Sequence, residues 1–229
     1  MKVSIIIPCY NEQSTIKEII NKINSQSNID KEIIVIDDYS NDKTREILET
    51  DLKNSISKII LNERNYGKGY SIKKGIENAS GDCIIIQDAD LEYDPSDYKK
   101  LLDPIFNNIA DVVYGSRFIG TSERRVLYFW HTVGNKLLTL LSNMFSNLNL
   151  TDMEVGYKVF RSNILKEINL VENRFGFEPE ITAKIAKKNV RIYEVGIRYF
   201  GRKYSEGKKI TWKDGFSAIR CIVKYNLFK

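Results

Sequence analysis

The sequence predicts an α/β fold, a mostly parallel sheet flanked by helices with amphipathic helices towards its C-terminal end. Three observations carry this. From residue 1 to about 118, short Ile/Val-rich runs alternate with amphipathic stretches, the pattern of repeated strand–helix–strand units. The runs are continuously apolar, as in parallel strands covered on both faces and joined by right-handed crossovers. Each run also ends in polar or acidic residues, which lie beyond the carboxyl ends of the strands, where open sheets of this kind bind ligands.

Val3 to Ile7 is the first strand, and Ile16, Ile19, Ile20 and Ile23 then share one helical face. Glu32 to Ile36 is the second, followed by Asp37, Asp38 and a helix that begins near Asn41 and Asp42. Ile56 to Leu61 forms a third strand, and the loop Asn65-Tyr66-Gly67-Lys68-Gly69 leads into a helix through Ile72 and Ile76. Cys83 to Ile86 is the fourth. Asp94-Pro95-Ser96-Asp97 has the form of a helix start, with Asp94 as cap, Pro95 first in the helix and Asp97 placed to reach back. Val112 to Tyr114 is the fifth strand. Beyond it, Val126 to Leu148 reads as one or two strongly amphipathic helices. The motif Thr151-Asp152-Met153-Glu154, the segment Asn173 to Glu178, a helix through Ile181 and Ile185, and a strand near Ile192 to Val195 follow. In the tail, Trp212, Phe216, Ile219 and Val223 fall on one helical face.

At 229 residues the chain can bury one sizeable core. Its 42% hydrophobic and 28% charged residues exclude a disordered or fibrous protein. The net charge of +5 suits anionic company: nucleotides, lipid phosphates or an acidic membrane face. No motif calls for nucleic acid. Cys9, Cys83 and Cys221 are widely spaced without a CxxC pair, so neither a disulfide framework nor a zinc site is expected, and a reducing cytoplasm fits best. The first apolar run is too short for a signal peptide. No stretch of about 18 uninterrupted apolar residues offers a spanning helix. Val126 to Leu148 and Trp212 to Lys229 mix bulky apolar residues with Lys and Arg, the composition of helices that lie in a bilayer interface. Packing in the core or a dimer surface is the competing reading.

The chemistry gathers at the strand ends. Asp88, Asp90 and Glu92 directly follow the fourth strand, and like charges this close repel unless a cation sits among them. Mg2+ or Mn2+ prefers such hard oxygen ligands and keeps positions open for substrate phosphates, and there it would neutralise a departing diphosphate. A solvated Asp-x-Asp loop is the bland reading, outweighed by the motif's place after a buried strand. Asp38 suits a ribose hydroxyl or base edge, because a carboxylate only accepts hydrogen bonds; the competing role of the Asp37-Asp38 pair is to complement a helix N-terminus. No GxGxxG follows the first strand, which removes the main support for a dehydrogenase. The single histidine, His131, makes histidine-based metal or triad chemistry hard to build.

Taken in order, Ile7-Pro8-Cys9-Tyr10-Asn11-Glu12, Asp37-Asp38, Asn65-Tyr66-Gly67-Lys68-Gly69, Asp88-Ala89-Asp90-Leu91-Glu92 and Gly115-Ser116-Arg117 resemble the family 2 inverting glycosyltransferases of the GT-A fold. The branch they are most similar to is that of the polyprenyl- and dolichyl-phosphate sugar synthases. The resemblance implies a nucleotide-sugar-binding half over 1–118, an acceptor-side half of the same domain over 119–211 and an amphipathic tail over 212–229. It implies that Pro8, Tyr10, Glu12, Asp38, Lys68, Asp88, Ala89 and Asp90 bind the donor, a GDP- or UDP-sugar. Asp90 and Glu92 would ligate the metal, where many relatives carry Gln at the second position. Arg117, Arg202 and Lys208 would clamp phosphate, guanidinium being a planar fork matched to it. Asp152 falls on an acceptor-side acidic motif: a general base for a hydroxyl acceptor, an orienting group for a lipid phosphate that is already ionised. The expected catalytic set is Asp88, Asp90, Asp152 and Arg117. The expected acceptor is polyprenyl phosphate, with a saccharide hydroxyl as the alternative and a non-catalytic nucleotide-sugar-binding subunit as the rival from another class. The expected place is the cytoplasm, peripherally on the inner membrane face, with contact through a partner protein.

Overall fold

The computed structural model describes residues 1–120, 123, 125, 126, 128–202 and 212–228. Its elements run β1 (Val3–Cys9), α1 (Ile16–Asn24), β2 (Lys31–Asp37), α2 (Thr44–Glu49), β3 (Lys58–Leu61), α3 (Lys68–Asn78), β4 (Cys83–Ile86), a 3-10 turn (Pro95–Asp97) and α4 (Tyr98–Phe106). They continue with β5 (Val112–Ser116), α5 (Phe129–Ser146), β6 (Lys158–Arg161), α6 (Ser162–Lys166), α7 (Phe177–Ala186), β7 (Ile192–Gly196), α8 (Trp212–Val223) and a π-helical turn (Lys224–Phe228).

One sheet in the order β3-β2-β1-β4-β6-β5-β7 runs through the molecule. Its pairs are parallel except at β6, which lies antiparallel between β4 and β5. The mostly parallel, helix-flanked sheet read from the apolar runs is present. Ile5, Ile6, Ile7, Val35, Ile36, Ile84 and Ile85 are fully buried at its centre, as strands covered on both faces require. On α1, Ile16, Ile19, Ile20 and Ile23 are buried as their spacing predicts.

Three local expectations change, and a fourth is narrowed. β6 was not read as a strand, because Lys158 interrupts its short apolar run; in the structure that lysine is fully buried, with Nζ donating to the carbonyls of Met153 and Val155. Val126 to Leu148 contributes one helix, ended by Asn147 in the left-handed region at φ 55°. Asp94 does cap the turn at Pro95, accepting from Ser96 N, but Asp97 accepts instead from Arg198 N, far along the chain. On α8 the buried face is Ala218, Cys221 and Ile222, continued by Tyr225, while Phe216 and Ile219 face outward.

α8 packs against α5 and α7. Phe129, Trp130, Leu137, Leu140 and Met144 of α5 remain exposed, as do Leu227 and Phe228. Among the described residues, no helix is long and apolar enough to cross a membrane.

Candidate functional site

At the carboxyl ends of β1, β2 and β4 the backbone enters the left-handed region at Asn11 (φ 51°), Tyr39 (φ 66°) and Leu91 (φ 63°). Non-glycine residues adopt it at a cost, and here each bend turns the chain away from the sheet and leaves its neighbours facing a common space. That space is a cavity of about 850 Å³. Pro8, Tyr10, Glu12, Asp38, Lys68, Asp88, Ala89, Asp90, Glu92, Arg117 and Arg202 all line it. Of the remaining expected residues, Asp152 is fully buried beneath Arg117 rather than on the cavity wall, and Lys208 lies outside the described residues.

Protein cations already answer the acidic cluster. Lys68 Nζ lies 2.8 Å from Asp88 Oδ1 and 3.2 Å from Glu178 Oε1. The Arg202 guanidinium lies 2.8 Å from Asp90 Oδ2 and donates to both Glu12 oxygens at 3.2 and 3.3 Å, while its backbone N donates to Glu92 Oε1 at 2.8 Å. Tyr199 OH donates to Glu92 Oε2 at 3.1 Å. Burial, then the charges of Asp88 and Glu92, push the Asp90 acid up to about 7 against the pull of Arg202. Crowded carboxylates that resist ionisation are what a cation relieves.

The carboxylate of Asp38 accepts from Asn62 Nδ2 (2.8 Å), Tyr66 N (3.0 Å) and Gly67 N (2.7 Å). It therefore folds the glycine loop onto the cavity wall, at which Gly67 holds φ 104°. Asp37 accepts from Ser40 N at 3.1 Å, ahead of α2. It is fully buried and paired with Arg45 at 2.5 Å.

Arg117 Nε and Nη2 each lie 2.7 Å from the Asp152 oxygens, a bidentate fork that fixes the guanidinium. Behind the cluster, Gln87 Oε1 accepts from both Tyr98 OH and Tyr157 OH, and Gln87 Nε2 donates to the Asp88 carbonyl at 2.9 Å. Tyr93 stacks on Tyr157 and donates no freedom to the wall, its OH accepting from Gly156 N at 3.0 Å. Sequence reading had not singled out Gln87, Tyr93, Tyr199 or Glu178. Glu178 sits in the first turn of α7, where a carboxylate reads as ordinary helix-end charge.

A divalent ion fits this donor set. Among the described residues no three His, Cys, Asp or Glu side chains form a protein-only metal cluster, but Mg2+ and Mn2+ commonly take one or two carboxylates and complete their shell with water and substrate phosphate. Asp90 and Glu92 are adjacent carboxylates on the cavity wall that would offer such oxygens.

The profile described as Glycosyl transferase family 2 matches residues 4–169. A dolichol-phosphate mannosyltransferase of Pyrococcus furiosus is 29% identical over 217 residues, covering 92% of this chain and 61% of the relative. A UDP-N-acetylglucosamine–dolichyl-phosphate N-acetylglucosaminyltransferase of Methanococcus voltae is 31% identical over 230 residues, covering 93% and 91%. An undecaprenyl-phosphate 4-deoxy-4-formamido-L-arabinose transferase of Proteus mirabilis is 27% identical over 214 residues, covering 90% and 62%. The chain thus spans about three fifths of the first and third and most of the second. Among solved structures, glucosyl-3-phosphoglycerate synthase of Mycobacterium tuberculosis, crystallised with Mn2+, UDP and phosphoglyceric acid, superposes with a TM-score of 0.76 over 100% of this chain and 79% of that one. At 18% identity that likeness speaks for the fold.

Proposed function

The chain belongs to glycosyl transferase family 2 and has the GT-A fold, and from that premise we propose that it moves a sugar from a nucleotide-diphosphate sugar to polyprenyl phosphate with inversion at the anomeric carbon. The observation that carries the reading is the convergence of the donor-side motifs and Arg117 on one cavity. Its relatives support the acceptor: all three are named for transfer to a dolichyl or undecaprenyl phosphate.

Pro8, Tyr10, Glu12 and the loop anchored by Asp38 receive the nucleoside. Asp88, held by Lys68, orients the ribose or the sugar. Asp90 and Glu92 would hold Mg2+ or Mn2+, and the ion would supply positive charge to offset that of the leaving diphosphate. Arg117, aimed by Asp152, faces the acceptor phosphate, and Arg202 stands ready to bind phosphate oxygens when it leaves Asp90. A phosphate acceptor arrives ionised and needs no general base, which agrees with an Asp152 buried in the service of Arg117 and off the cavity wall. A saccharide hydroxyl would need a base there. The apolar faces of α5 and α8 set the site against the membrane that holds the acceptor, peripherally and on the cytoplasmic face.

The test is transfer of labelled sugar from UDP- or GDP-hexoses to polyprenyl phosphate in detergent, with Mn2+ or with a chelator. Product that forms with metal and is lost with chelator supports the reading. Turnover indifferent to chelator, or transfer only to glycans, refutes it.

A further inference from the structure

Glu194, on β7, has no part in this scheme and stands off the cavity wall. Its carboxylate accepts from Thr151 N with both oxygens at 2.9 Å. Through Oε1 it also accepts from Asp152 N and from the Thr151 hydroxyl, each at 3.2 Å. An ionised carboxylate can only accept, so the Thr151 proton points to Glu194, and the Ser116 hydroxyl, 2.6 Å from Thr151 Oγ1, is the donor of that pair. Ser116 Oγ in turn accepts from Phe118 N at 3.1 Å and Ile119 N at 3.2 Å. The relay therefore runs in one direction and pins two short segments, 151–152 and 116–119.

Those segments carry the two halves of the fork. Arg117 lies in the turn that Ser116 ties, and Asp152 in the pair of residues that Glu194 holds; Arg117 N donates to Asp152 Oδ2 at 3.0 Å beside the two guanidinium contacts. The backbone of β7 braces the same turn. Ile197 N donates to the Ser116 carbonyl at 3.1 Å, and a Cβ at Gly196 would meet the Ile119 carbonyl oxygen at 2.6 Å. Burial raises the Glu194 acid above its ordinary value in spite of the bonds it accepts, so the charge is kept here against its preference for water. We propose that Glu194 is a positioning residue for acceptor binding, which acts through Thr151 and Ser116 to set the spacing of the Arg117–Asp152 fork and so the aim of the guanidinium at the acceptor phosphate. This rests on the acceptor reading above, and deepens it.

Steady-state transfer to undecaprenyl phosphate in detergent with Mn2+ tests it, from whichever of UDP-glucose, UDP-N-acetylglucosamine and GDP-mannose the wild type uses. Glu194→Gln should raise KM for the lipid phosphate by about tenfold, the scale of one hydrogen bond to a charged group. KM for the donor and the affinity for its nucleoside diphosphate should stay within about twofold of wild type. Thr151→Val, which removes the hydroxyl at nearly constant shape, should raise the same acceptor KM, and Thr151→Ser should restore it. The double variant Glu194→Gln with Thr151→Val should cost no more than Glu194→Gln alone, since both break one relay. In an Arg117→Lys background, a point charge in place of the fork, Glu194→Gln should add less than about twofold. A merely structural role would lower kcat through lost folded protein and move neither KM. Nucleoside diphosphate binding reports folding, and the Thr151 variants decide the matter should Glu194→Gln not fold. An unchanged acceptor KM, an equal rise in both KM values, or a full effect in the Arg117→Lys background overturns the inference. A wild type that transfers to no lipid phosphate overturns the acceptor reading and the inference with it.

Discussion

Asp88 reaches the cavity because residue 156 is glycine. A Cβ there would sit 2.4 Å from Asp88 Oδ2 and 2.8 Å from Tyr93 Cε2, closer than van der Waals contact permits. Gly156→Ala is therefore expected to displace Asp88 and its Lys68 partner. A shift of about 1 Å in a positioning group can cost about a hundredfold in rate, so transfer should fall by about ten- to a hundredfold while nucleoside diphosphate still binds. Single-turnover rates beside binding isotherms check this, and wild-type rates in the variant would contradict it. At this scale the acidic cluster was legible in the sequence, since Asp88, Asp90 and Glu92 line the cavity as read. What the sequence hid was who balances them. Lys68 and Arg202 come from distant positions, and the chain's linear order carries no trace of the 110 residues that separate Arg202 from Glu92 across one hydrogen bond.

Among the elements, the β1–β2–β4 core was legible because continuous Ile/Val runs leave few alternatives. β6 was not, because a buried lysine satisfied by carbonyls looks polar in one dimension. The edge of the β1–β2 pair also carries a pH-sensitive tie. Glu32 accepts from Lys2 Nζ, Ser4 Oγ and Ser80 N and Oγ. Burial alone would raise its acid, but these bonds outweigh it and hold it at about 2, below its ordinary 4.5. A depressed folded-state value stabilises the protein above pH 4.5, and that contribution disappears as pH falls from there towards 2. Melting temperature should thus decline through this window, and Glu32→Gln, which carries no such charge, should decline less steeply. Parallel curves for the two proteins would contradict the assignment.

For the molecule as a whole, the outward faces of α5 and α8 matter most. The amphipathic periodicity was legible, but which face would be buried was not: α8 turns Ala218, Cys221 and Ile222 inward and presents Phe216, at 66% exposure, with Trp130 of α5 at 77%. Spacing fixes that one stripe faces one way, and only packing against α5 and α7 decides which. Exposed apolar side chains on a chain of net charge +5 suit an anionic bilayer surface; Arg220 and Lys224 beside them are paired with Glu172. The protein should co-sediment with vesicles containing anionic lipid and less with neutral ones, and Leu140→Asp with Phe216→Asp should release it without loss of nucleoside diphosphate binding. Equal sedimentation of the double variant would refute a membrane role for this face.

The central claim is that Asp90 and Glu92 exchange the guanidinium of Arg202 for a divalent ion when the donor binds. Anomalous diffraction at the manganese edge, from crystals grown with Mn2+ and UDP or GDP, tests it most directly. The account predicts a peak in contact with both carboxylates and a diphosphate oxygen. No peak there, with Arg202 still paired to Asp90 and nucleotide present in the cavity, would contradict it.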